Sequence, residues 1–162
     1  MIAEEAALAV RKSIVVEASP EVAFSVFTEG FSTWWPLATH HIGAVAPAAM
    51  FIEPFEGGRC FERTADGIES VWGHVQQWEP PHRLVFSWEL SCDFGYDPAM
   101  ATECDVRFIP EGDGATRVEL EHRGMEVYGD RREEMYGIYD GEGGWTGLME
   151  RFRTATETAS RA

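Results

Sequence analysis

Two stretches of the chain alternate wet and dry residues regularly enough to decide the fold class. Cys104, Val106 and Phe108 alternate with Glu103, Asp105 and Arg107; Val118, Leu120 and His122 alternate with Arg117, Glu119, Glu121 and Arg123. A period of two is the signature of a strand, and one dry face per strand belongs to an antiparallel sheet covered on a single side. The turn Glu111-Gly112-Asp113-Gly114 joins the two strands, read as 101–109 and 116–123. Such a sheet needs a cover, and the C-terminal segment supplies one. Trp145, Leu148, Met149 and Phe152 fall at i, i+3, i+4 and i+7, an apolar helical stripe. A helix from Gly143 to about Thr158 is roughly 25 Å long, enough to span a small sheet.

The remaining elements follow from local signals. Residues 11–17 are rich in β-branched side chains and read as a strand. Ser19 at an N-cap and Pro20 at the first helical position open a short helix carrying Val22, Ala23, Val26 and Phe27 on one face. Gly30 stops it, and a second short helix over 31–35 ends before Pro36. Strands are predicted over 50–55, 59–64, 69–78 and 83–90, separated by Glu56-Gly57-Gly58, Ala65-Asp66-Gly67 and Pro80-Pro81. The first ten residues read equally as a flexible lead-in or a helical extension. Both faces of the 69–78 strand carry bulky groups, so either Trp72 with His74 or Val71 with Val75 points inward. The expected architecture is α+β: a curved antiparallel sheet of about seven strands around a long C-terminal helix, with two short helices after the first strand. The 162 residues are expected to form a single domain.

Composition narrows the function. With 44% apolar and 12% aromatic residues there is ample material for a core. A net charge of −15 and the lack of any basic stripe argue against nucleic acid and anionic membrane surfaces as partners. Cys60, Cys92 and Cys104 are odd in number and widely spaced, unlike a disulfide scaffold or a zinc ribbon. No signal core or membrane-length apolar run occurs, so a soluble, cytoplasmic protein without membrane insertion is expected.

An ordered set of short pieces resembles a known family. It comprises Ala18-Ser19-Pro20-Glu21 before Ala23-Phe24, Trp34-Trp35-Pro36, and Pro54-Phe55-Glu56-Gly57-Gly58-Arg59. Trp72-Gly73-His74-Val75, residues 78–88, residues 115–120 and Gly143-Gly144-Trp145 complete it. Together they resemble the AHSA1-like branch (activator of Hsp90 ATPase homologues) of the SRPBCC superfamily, which includes START and Bet v 1-type proteins. The resemblance implies a helix-grip fold with a cavity between sheet and long helix. It does not imply one activity, because members include lipid binders, polyketide cyclases and co-chaperone domains.

The dry sheet face and the helix stripe supply the candidate cavity residues: Trp35, Phe61, Trp72, Phe86, Trp88, Cys104, Tyr139, Trp145 and Met149. The same side chains would equally make a solidly filled core. His122, in phase with Val118 and Leu120, and His74 are candidates to orient a ligand or move a proton, or else hydrogen-bonded core histidines. His40-His41 follow Trp34-Trp35-Pro36, where a cavity mouth is expected, but two histidines do not make a metal site. No metal and no cofactor is expected. Asp140-Gly141-Glu142-Gly143-Gly144 lacks the lysine of a phosphate loop and reads as a helix boundary where glycine allows close backbone approach. Glu62, Glu89 and Asp93 lie on or beside strands with nothing tying two of them at a catalytic separation. The expected function is binding of a hydrophobic or aromatic small molecule. A co-chaperone-like interaction module and a cyclase- or hydrolase-like enzyme using the same cavity are the alternatives. A homodimer is left open.

Overall fold

The computed structural model describes residues 8–162. Of the predicted lead-in, residues 1–7 lie outside the described residues, and Val10 already belongs to the first strand. The strands are β1 (Val10–Val16), β2 (Ala49–Ile52), β3 (Arg59–Arg63), β4 (Glu69–Glu79), β5 (Arg83–Trp88), β6 (Thr102–Pro110) and β7 (Thr116–Arg123). The helices are α1 (Pro20–Thr28), α2 (Phe31–Trp34), α3 (Arg132–Asp140) and α4 (Trp145–Arg161), with 3₁₀ turns at Pro98–Met100 and Met125–Arg131. The strands form one sheet in the order β1-β7-β6-β5-β4-β3-β2, every neighbouring pair antiparallel. Helix α4 packs across it against β1, α1 and α2. This is the helix-grip arrangement.

Local chemistry accounts for the elements. Ser19 is extended, and its hydroxyl accepts the N–H of Val22 at 3.2 Å, satisfying an otherwise unpaired donor at the start of α1. Strand β2 stops three residues earlier than expected because the Glu53 carboxylate turns back to accept the Arg59 N–H at 2.6 Å and its guanidinium at 2.9 Å. Helix α3 was not anticipated; it buries Met135 and Tyr139, one turn apart.

Strand β4 resolves its two-way reading by doing neither. Cys60 pairs with Gly73 and Phe61 with Val71, so Trp72 is an extra residue, and a second irregularity lies between Val75 and Gln77. Such bulges break the alternation and bend the sheet. Trp72 and Val75 both enter the core, while Val71 and His74 face outward. Gly73 sits where β4 meets β5 so closely that a Cβ would run into the Ser87 carbonyl oxygen.

The same register corrects the expectation for Phe61. It pairs with Phe51 on the outer face, stacks on that ring at 5.0 Å, and is roofed by Arg59 at 4.2 Å from its centroid. Its burial comes from this outer sandwich and not from the core. On the wet face of β6, Asp105 is only 4% exposed because Arg83, Arg107 and Arg123 converge on it.

Under the middle of α4 the interior is filled. Phe27 meets Phe152 at 5.3 Å, Trp34 at 5.1 Å and Phe108 at 5.9 Å. Phe86, Cys104 and Met149 are buried within this packed region and do not line the cavity, contrary to expectation. Burial pushes the Cys60 and Cys104 thiols well up, which keeps them protonated.

Candidate functional site

A cavity of about 270 Å³ lies at the N-terminal end of α4, between that helix, the α3–α4 turn, strands β2–β5 and the loop 36–48. Of the predicted residues, Trp35, Trp72, Trp88, Tyr139 and Trp145 line it. His122 and His74 do not. Sequence reasoning missed Ile42, Met50, Glu62, Leu90, Phe94, Ile138 and Leu148; the anticipated mouth residues His40 and His41 also border the cavity, with Thr39, Gly143 and Gly144.

Four indoles dominate the lining. Trp35 and Trp72 are near-parallel at 6.5 Å and 6°, Trp72 meets Trp88 at 5.6 Å, and Trp145 meets Trp88 at 5.8 Å. Three of them spend their N–H inside the protein. Trp35 donates to the His40 carbonyl at 2.8 Å, Trp88 to the Tyr139 hydroxyl at 3.1 Å, and Trp145 to His122 Nδ1 at 3.1 Å. The buried Nε1 of Trp72 has no acceptor among the described residues. An unpaired buried donor costs roughly 1–3 kcal/mol, so its presence in a cavity wall calls for an explanation.

Tyr139 donates its O–H to the Tyr128 oxygen at 3.4 Å, and Tyr128 donates to the Leu90 carbonyl at 3.1 Å. Burial raises both phenols, so this chain stays neutral and fixes the Trp88 ring. His122 is fully buried and both ring nitrogens are used: Nδ1 accepts from Trp145, so Nε2–H donates to Thr102 Oγ1 at 2.7 Å. Burial pushes its pKa down to about 3. The predicted ligand-orienting histidine therefore holds the wall residue Trp145 from behind and is not among the residues that line the cavity.

His74 is likewise elsewhere. On the outer face, Glu89 accepts from His74 Nδ1 and the Tyr96 hydroxyl, each at 2.9 Å, and from Ser87 Oγ. The serine hydroxyl donates to the carboxylate and not to the imidazole, so the three residues are not arranged as a serine–histidine–carboxylate relay. Burial would raise the Glu89 carboxyl, but the hydrogen bonds from Ser87, His74 and Tyr96 outweigh it and hold it low.

At the cavity mouth, His40 Nε2–H donates to the Gly143 carbonyl at 2.7 Å and Nδ1 accepts from Thr39 at 2.8 Å, tying the loop to the α3–α4 turn. Among the described residues no three His, Cys, Asp or Glu side chains converge as metal ligands. Deeper in the wall, Glu62 is 1% exposed and pairs with Met50 on the inner face of β3. Each of its oxygens accepts one backbone N–H, from Ile42 and Gly43, both at 2.8 Å.

Among the described residues no helix is long and apolar enough to cross a membrane. A search of curated proteins returns no match. Among solved structures, the anthrahydroquino-γ-pyrone synthase Txn09 is 40% identical, with 90% of this chain and 95% of that one covered and a TM-score of 0.62. CalC, a self-sacrificing resistance protein from Micromonospora echinospora, is 25% identical over 94% and 96% of the two chains, with a TM-score of 0.67. Protein MLL2253 from Mesorhizobium loti, at 17% identity and a TM-score of 0.67 over 93% and 97%, shares the fold. A model of the family described as activator of Hsp90 ATPase homolog 1-like protein matches residues 17–157, and the chain belongs to that family.

Proposed function

We propose that this protein binds a planar aromatic compound carrying a carbonyl oxygen, with its rings among the four tryptophans. The observation that carries this reading is the Trp72 N–H, a buried donor on a residue of the cavity wall with no acceptor among the described residues. A quinone or pyrone carbonyl supplies that acceptor, and the indole faces supply stacking. A volume of about 270 Å³ stands near the lower end of the roughly 300–1,000 Å³ common for small-molecule sites, which suits a compound of a few fused rings. The 40% identity to a protein named as a pyrone synthase supports an oxygenated aromatic ligand.

That identity also favours a second reading, ring closure on the bound compound. A phenolic oxygen would bond to the ketone carbon of a neighbouring 1,3-diketone, and that carbonyl oxygen would leave as water with the phenol proton and one α-proton. Incubation with such a diketone and detection of a product lighter by one water tests this step.

Binding is tested by titrating chromone, which has a carbonyl, and naphthalene, which has none, and following tryptophan fluorescence. The expected result is saturable quenching by both, with Trp72→Phe weakening chromone about tenfold and leaving naphthalene unchanged. Absence of saturable binding by either compound overturns the reading.

A further inference from the structure

Glu62 holds the loop at Ile42 and Gly43 with only part of its hydrogen-bonding capacity. Its carboxylate is 1% exposed, and among the described residues no arginine, lysine or histidine forms an ion pair with it. Two backbone N–H groups are its partners, one on each oxygen. An ionised carboxylate offers about four acceptor positions, so roughly two stay open. Burying such a group without a cation is costly, and the two amides use only part of its acceptor capacity. Glu62 is nevertheless one of the residues that line the cavity. Its surroundings are also shaped to it: a Cβ on Gly43 would come within 2.9 Å of Oε2, so bare backbone is needed there for the amides to approach.

We propose that Glu62 is a specificity-determining residue of the cavity, accepting a hydrogen bond from a hydroxyl group on the bound aromatic compound. The proposal rests on the aromatic-ligand reading above and adds a second polar contact to it. Trp72 donates to a carbonyl and Glu62 accepts from a hydroxyl, so the preferred occupant is a phenolic ketone rather than a hydrocarbon or a fully etherified ring. A phenol is the better partner than an aliphatic alcohol, because its more acidic proton makes it the stronger hydrogen-bond donor.

Chromone, 6- and 7-hydroxychromone and their methyl ethers, titrated calorimetrically into the wild-type protein and Glu62→Gln, test the assignment. The wild type is expected to bind at least one hydroxychromone about tenfold more tightly than its ether. In Glu62→Gln that preference should collapse to within about twofold, each hydroxychromone being compared with its own ether in the same variant. Equal wild-type affinity for each hydroxyl and ether pair overturns the proposal, and this comparison needs no variant to fold. A preference that survives in Glu62→Gln also overturns it. Loss of chromone together with the phenols in a folded variant assigns Glu62 to loop positioning instead. Failure of every chromone to bind the wild type removes the aromatic-ligand reading itself, a different result from equal binding.

Discussion

Trp145 donates its indole N–H to Nδ1 of His122 at 3.1 Å, and this contact sets the imidazole tautomer. With Nδ1 accepting, the proton must sit on Nε2, where it meets Thr102 Oγ1 at 2.7 Å. That hydroxyl donates in turn to the Trp88 carbonyl at 3.2 Å. The cavity wall is thus stiffened from behind by a neutral histidine.

This makes stability depend on pH in a definite direction. Burial holds the His122 pKa at about 3, against an ordinary value of 6.5. Between those two values the unfolded chain binds a proton that the folded chain refuses, so folding stability falls as pH drops below about 6.5. The slope approaches about 1.4 kcal/mol per pH unit as an upper figure. Urea midpoints at about pH 7.5, 6.5 and 5.5 should show the decline beginning near the middle value. His122→Gln should flatten that part of the profile, while lowering stability at neutral pH by about 1–3 kcal/mol.

Asp105 acts at a lower pH. Burial alone would raise its carboxyl, but hydrogen bonds from Arg83 and Arg123 outweigh that and hold it at about 2. Its folded pKa lies below the unfolded one, so its contribution is full above about pH 4 and is lost as pH falls through about 2. Asp105→Asn leaves three guanidinium groups facing one another without their shared anion. A loss of about 2–4 kcal/mol at neutral pH is expected, read from chemical denaturation, with a flatter acid limb.

The parity of each strand decides how much of this was legible. In β6 and β7 the alternation is clean, and the register Cys104 to His122, Val106 to Leu120 and Phe108 to Val118 follows it. In β3 it misleads. Placing Phe61 inside puts Glu62 outside, whereas the structure turns Cys60 and Glu62 inward and leaves Phe61 between Phe51 and Arg59. A one-residue shift of phase exchanges every side chain between faces, so the same choice that misplaced Phe61 hid Glu62. The i, i+2 spacing of Cys60 and Glu62 was the available signal, outweighed by a large aromatic neighbour. In β4 no periodic argument succeeds, because the extra residue at Trp72 is fixed by pairing with β3 and β5. Helix α3 carries only Met135 and Tyr139 as its buried face, too narrow a stripe to stand out among charged neighbours.

The glycine-rich turn before α4 was legible, and its geometry gives a third prediction. A Cβ on Gly144 would run into the carbonyl oxygens of Ile138 and Tyr139, both at the end of α3. Tyr139 holds Trp88 through its hydroxyl, so displacing α3 disturbs the cavity wall as well as the turn. Gly144→Ala should lower stability by about 1–3 kcal/mol by thermal melting, the range for overpacking a tight contact. Gly143→Ala, whose added Cβ meets nothing nearby, is the control and should change little.

Packing separates the residues that hold the fold from those that only border the cavity. Trp145 is 1% exposed and spans both duties: it rests on Trp88 and Trp35 and binds His122. Truncating it to Ala should cost about 3–5 kcal/mol, whatever the cavity contains. Leu148 lies one turn further along α4 and also borders the cavity, but its side chain is wholly apolar. Leu148→Trp has room to grow into the cavity, so overpacking strain stays small, with a stability change within about 1 kcal/mol in either direction. The added ring should nevertheless displace an aromatic ligand and weaken chromone binding at least about tenfold. Paired melting curves and titrations on the two variants check this. If Leu148→Trp binds chromone as the wild type does, the ligand lies outside this cavity; if it unfolds, the space beside Leu148 is filled already.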